Sequence, residues 1–111
     1  MSPPTDMNLA PRDGLTAGQL VRGAVVAHHR WGVDVDLDEA PVCGVVDLRF
    51  VSDDHRDMNE ERFPPIGSRL AAKIQGWMPN GQLRLTLRRS DLDDPAYASR
   101  LRSLADEPPG T

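Results

Sequence analysis

The run from Gly18 to Leu37, GQLVRGAVVAHHRWGVDVDL, constrains this chain more than any other stretch. It reads as two strands joined by a tight turn that carries an aromatic beside a glycine, Trp31-Gly32. Val33-Asp34-Val35-Asp36-Leu37 alternates apolar and polar residues with a period of two, the pattern of a strand with one face on a core and the other in water. In the strand before it, residues 20 to 28, Val21, Gly23, Val25 and Ala27 share one face and Arg22, Ala24, Val26 and His28 the other. Gly23 inside that strand marks a bend or a close approach of backbones, as at the corner of a barrel. His29-Arg30 makes the turn, and Trp31 is expected to stand exposed at the entrance of the second strand.

Three more strands follow. Asp38-Glu39-Ala40-Pro41 turns the chain into a third, Val42 to Leu48. A long polar connection, Val51 to Pro65, has room for a short helix over Asp57 to Arg62, stopped by Pro64-Pro65. The fourth strand runs from Arg69 to Trp77 and the fifth from Leu83 to Arg88. Asn80-Gly81 between two alternating runs is a strong hairpin signal. A two-residue Asn80-Gly81 turn sets Trp77 opposite Arg84, Gln75 opposite Thr86 and Lys73 opposite Arg88. Ile74 with Leu87, and Met78 with Leu83, then face the core. A helix over 91–104 is expected, with Asp94 as N-cap, Pro95 at its first position, and Tyr97, Leu101 and Leu104 packing on the barrel. Residues 1–14 and 105–111 read as flexible tails. The expected architecture is one mainly β domain over 15–90: a five-stranded antiparallel barrel with a short C-terminal helix.

Five strands with a long connection between the third and fourth is the layout of an OB-fold barrel. The residues go further. Gly18, Gly23, Val25, Trp31-Gly32, Val35, Leu37, Gly44, Gly67, Lys73, Gly81, Leu85 and Thr86 resemble the S1 motif, an RNA-binding domain family. That pattern has a glycine before the first strand and one within it, then an aromatic-glycine pair opening the second strand. A glycine opens the third, an apolar-glycine pair precedes the fourth, and Gly-x-apolar-x-Leu-Ser/Thr ends the set. The resemblance covers about residues 15 to 90 and implies binding of single-stranded RNA. Of the family's contact positions, the first aromatic is kept as Trp31. The second is Asp34, the histidine after the third-strand glycine is Asp47, the acidic residue before the last turn is Met78, and the basic residue after its glycine is Gln82.

Charge sharpens the question. The 111 residues carry a net charge of −4, so the chain lacks the bulk basic signature of nucleic-acid binding, and any such contact must come from a local patch. The expected RNA contacts are Trp31, by stacking, with Trp77 and Arg84 as an exposed cation–π pair flanked by Lys73 and Arg88. The competing reading is a protein-interaction module that docks a basic partner through Asp34, Asp36 and Asp47. The carboxylates lack a nucleophile partner or phosphate loop, so no enzyme is expected. His28, His29 and His55 lack a second fixed ligand spacing, so neither a metal nor a cofactor is expected. The single Cys43 excludes an internal disulfide and, in an apolar strand, predicts an inert buried thiol. No apolar run approaches the ~20 residues of a membrane helix, and no apolar stretch near the N-terminus suits a signal peptide. A cytoplasmic monomer is the expectation.

Overall fold

The computed structural model describes Leu9 and residues 14–105, apart from the side chains of Asp57, Leu104 and Ala105. Most of the expected tails and the packing of Leu104 lie outside the described residues; Leu9, in the expected N-terminal tail, packs against the cluster of Ala17, Tyr97 and Leu101. Five strands, β1 (Leu20–His29), β2 (Gly32–Leu37), β3 (Cys43–Asp47), β4 (Arg69–Trp77) and β5 (Leu83–Thr86), close into a barrel in the order β1-β2-β3-β5-β4. Four of the pairings are antiparallel, whereas the seam between β3 and β5 is parallel. This is the OB-fold layout expected from the sequence, with one parallel seam that the strand count alone did not reveal.

The period-two pattern does its work in β2, where Val33, Val35 and Leu37 are buried, Asp34 is half-buried and Asp36 exposed. With Val21, Val25, Val46, Ile74, Leu83 and Leu85 they form one continuous core. In β1 the alternation breaks at Val26, which bulges out of register between Val25↔Val35 and Ala27↔Asp34. The β1–β2 turn is Arg30-Trp31, one residue later than expected, with His29 opposite Gly32. Gly32 has a φ of 149°, and a Cβ there would be driven into the Val46 carbonyl oxygen. The aromatic-glycine pair is therefore a packing requirement: only a hydrogen at position 32 lets β2 lie this close to β3.

The β4–β5 hairpin departs from the expected register. Met78 N donates to the Gln82 carbonyl and Gly81 N to that of Met78, so the loop has three residues, Pro79-Asn80-Gly81, with Gly81 at φ 87°. Trp77 pairs with Leu83 and Gly76 with Arg84. A bulge at Gln75 then moves the register once more, to Ile74↔Leu85 and Lys73↔Thr86. Slipping a strand by one residue exchanges its faces. Trp77 goes into the core, 3 % exposed, and the expected surface pair with Arg84 does not form.

The long connection makes three short 3-10 turns, at Leu48–Phe50, His55–Asp57 and Glu60–Arg62, in place of one helix over Asp57 to Arg62. Each is capped by a polar side chain, Asp47, Asp54 or Asn59, accepting from a backbone N–H. β5 ends at Thr86, and helix α1 (Arg89–Leu92) follows where the sequence suggested more strand. Helix α2 (Tyr97–Ala105) sets Tyr97 and Leu101 on Ala17, and Ala98 against Gly18, where a Cβ would clash. The buried Asp91 ties these pieces together. It accepts from Thr86 Oγ1 at 2.7 Å and Arg88 Nε at 3.1 Å, and Arg100 Nη2 lies 3.4 Å away.

Candidate nucleic-acid interface

The tip of the first hairpin and the parallel seam meet on one face. Gly32 lies opposite Asp47, which brings the neighbouring Trp31 to the end of β3. Val45 lies beside Arg84 across the β3–β5 seam, and Asp47 is two residues further along β3 on the same face. Trp31, Val45, Asp47, Met78, Gln82 and Arg84 thus line an open depression of about 230 Å³. Val45 and Met78 are its apolar part, Trp31 its aromatic wall, and Asp47 and Arg84 its charged groups.

Trp31 is 44 % exposed. Its backbone is held by Leu48 N, which donates to the Trp31 carbonyl at 2.6 Å. The indole stacks on the His29 imidazole, with centroids 4.6 Å apart and planes 6° from parallel. His29 Nε2 is in turn 2.9 Å from Asp34 Oδ2. A carboxylate at position 34, where the resembled family has an aromatic, therefore orients the histidine that backs the remaining aromatic. His29 was missed by sequence reasoning, since nothing in its spacing says that it stacks on a residue two positions on.

Asp47 accepts from Arg49 N at 2.9 Å and from Arg49 Nε at 3.0 Å, and lies 3.9 Å from Arg84 Nη1. Burial pushes its carboxyl upward. The hydrogen bonds from Arg49 and the positive charges of Arg49 and Arg84 outweigh that push and hold it below the usual aspartate range, so it is ionised at neutral pH. Two guanidiniums surround one carboxylate here, so the negative charge at position 47 is compensated locally.

Of the five expected RNA contacts, the structure brings together Trp31 and Arg84. Trp77 lies inside the barrel. Lys73 and Arg88 are engaged at the helical cap: Lys73 Nζ donates to the Asp94 carbonyl at 2.8 Å, and Arg88 pairs with Asp91 while its guanidinium lies 4.9 Å from the Phe50 ring centre. The three carboxylates of the docking reading do not form one free surface. Asp34 is bound to His29 and Asp47 to Arg49, while Asp36 is exposed opposite Cys43. Cys43 itself is exposed, a correction to the buried thiol expected. The partial burial of its sulfur and the charges of Asp34 and Asp36 push its pKa up, away from thiolate chemistry. His28 Nε2 lies 2.7 Å from the Pro64 carbonyl, on a different partner from His29.

No family model matches this chain, and no curated protein does. Solved structures do. The solution structure of GSP13 from Bacillus subtilis superposes with a TM-score of 0.60 at 21 % identity, over 73 % of this chain and 61 % of that one. The intact α subunit of aIF2 from Pyrococcus abyssi gives 0.59 at 22 % identity, over 86 % and 34 %. A chain of the a/eIF2α–aDim2p–rRNA complex from Pyrococcus horikoshii OT3 gives 0.60 at 22 % identity, over 78 % and 51 %. This chain spans less than two thirds of each of these neighbours. The likeness establishes the fold, a five-stranded OB barrel, which is the layout that the sequence resemblance implied.

Proposed function

We propose that this chain is a non-catalytic module that binds single-stranded RNA, weakly and with little sequence preference along the strand. The observation that carries the reading is Trp31: an indole stacked on His29, half exposed, at the edge of a depression that also holds Arg84. Bases stack on such a platform whatever their sequence. Arg84 and Arg49 offer positive charge next to it despite the acidic total. One of the structural neighbours was solved in a complex with rRNA, and that supports the same reading.

Binding of a fluorescein-labelled single-stranded RNA, followed by anisotropy from low to moderate salt, tests it. The affinity falls with salt with a shallow slope, about −0.7 per phosphate contact for the one or two contacts that Arg49 and Arg84 supply. Trp31→Ala lowers it at every salt concentration. Absence of binding at low salt defeats the proposal. Docking of a basic protein is the competing reading; it is left with Asp36, which makes no ion pair among the described residues. If Asp36→Lys abolishes a protein partner while RNA binding is absent, that reading replaces this one.

A further inference from the structure

The depression beside Trp31 holds more chemistry than stacking needs. A carboxylate has acceptors only, and it repels phosphate oxygens. Asp47 on an RNA-facing wall must therefore meet N–H or O–H donors. Its Oδ1 is filled by Arg49 N and Nε at 2.9 and 3.0 Å. Among the described residues its Oδ2 has long contacts, 3.4 Å to Arg49 Nη2 and 3.9 Å to Arg84 Nη1, and it keeps acceptor capacity. An acceptor and a guanidinium donor thus stand side by side, 3.9 Å apart.

We propose that this depression, on the RNA-binding reading above, takes a single guanine base stacked on Trp31, with its N1–H and N2–H donated to Asp47 Oδ2 and its O6 accepting from the Arg84 guanidinium. Guanine alone among the common bases sets two N–H donors side by side next to a carbonyl acceptor. Adenine and cytosine set a single amino N–H beside a ring-nitrogen acceptor, so with Arg84 on the acceptor they give the carboxylate one donor where guanine gives two. Uracil has its one N–H between two carbonyls. A volume of about 230 Å³ admits a purine, and Val45 and Met78 supply apolar contact for its ring. The lowered pKa of Asp47 keeps the acceptor ionised.

The test uses labelled uridine oligomers of about nine nucleotides, a length that such barrels span, each with a single central G, A, C or U. Anisotropy is read at low salt on the full chain. The G oligomer is expected to bind about tenfold more tightly than the other three, in the range of one good paired edge. Asp47→Asn keeps an oxygen for the Arg49 N–H, so the local turn survives, and it brings the four affinities within about twofold of one another. Equal affinities in the parent protein overturn the guanine assignment and leave the RNA reading standing. A preference that survives Asp47→Asn overturns the role given to Asp47. No binding of any oligomer overturns both readings together.

Discussion

The two tryptophans, alike in the sequence, should separate cleanly under mutation. Trp77 is 3 % exposed within the core cluster, and truncating such a residue to Ala costs about 3–5 kcal/mol. Against a total of about 5–15 kcal/mol for a domain this size, that is a large fraction. At about 4–8 °C per kcal/mol, the melting temperature falls by roughly 12–40 °C. Trp31 is 44 % exposed, and its removal forfeits mainly the stack on His29, less than about 1 kcal/mol at so open a site. Its cost falls on binding instead: losing one stacking platform removes about 1–3 kcal/mol, or roughly 5- to 150-fold in RNA affinity. Far-UV circular dichroism follows the melts without relying on the indole that was removed, and anisotropy follows the RNA. Trp77→Phe, which keeps much of the ring volume, supplies a folded partner for the binding measurement. The reasoning is refuted if Trp31→Ala melts the barrel as far as Trp77→Ala does. It is refuted equally if a folded Trp77→Phe loses RNA as completely as Trp31→Ala.

Gly32→Ala forces a Cβ onto the Val46 carbonyl at a φ of 149°, so the urea midpoint should drop by the equivalent of about 3 kcal/mol or more; a variant as stable as its parent would sink the close-approach argument. Asp91→Ala removes the acceptor shared by Thr86, Arg88 and Arg100, and should cost about 2–3 kcal/mol in urea unfolding, less than a fully buried pair because both guanidiniums reach water. The chain has one tyrosine, Tyr97, whose pKa is pushed up to about 12, first by burial and then by the charge of Asp91. Its folded value lies above the unfolded one, so its contribution to stability is complete below about pH 10 and lost as pH rises towards 12. Ultraviolet titration should find phenolate forming near pH 12, and a midpoint near 10 with the circular dichroism intact contradicts the burial.

Much of the barrel was legible because its signals are local. Alternation in Val33 to Leu37 marked a half-buried strand, the spaced glycines marked close approaches, and the S1-type pattern tied them into one layout. The structure gives each of these a cause: Gly32 admits the Val46 carbonyl, Gly18 admits Ala98, and Thr86 carries the hydroxyl that Asp91 holds. The fourth strand and the fifth as far as Thr86 were placed, and Ile74 and Leu83 face the core as expected, but Trp77, beyond the bulge, does not take the outward face expected of it. Asn-Gly announces a hairpin without saying whether the loop has two residues or three, and no local signal marked the bulge at Gln75.

The sequence by itself determined where the strands lie, that they form a five-stranded barrel, and that an aromatic stands at the first turn, because periodicity and steric demands act over a few residues. Tertiary structure alone decided which charged groups share the site. Asp47 and Arg84 are 37 positions apart in the chain and meet because β3 and β5 pair in parallel. Trp77 is withdrawn into the core by a register that a three-residue loop sets. Asp34, unfavourable for RNA when read as a free charge, is an anchor for His29 once the hairpin is folded. A strand pattern fixes faces only relative to itself; long-range pairing assigns those faces to the core or to solvent, and on this barrel it gathers an indole, a carboxylate and two guanidiniums on one side.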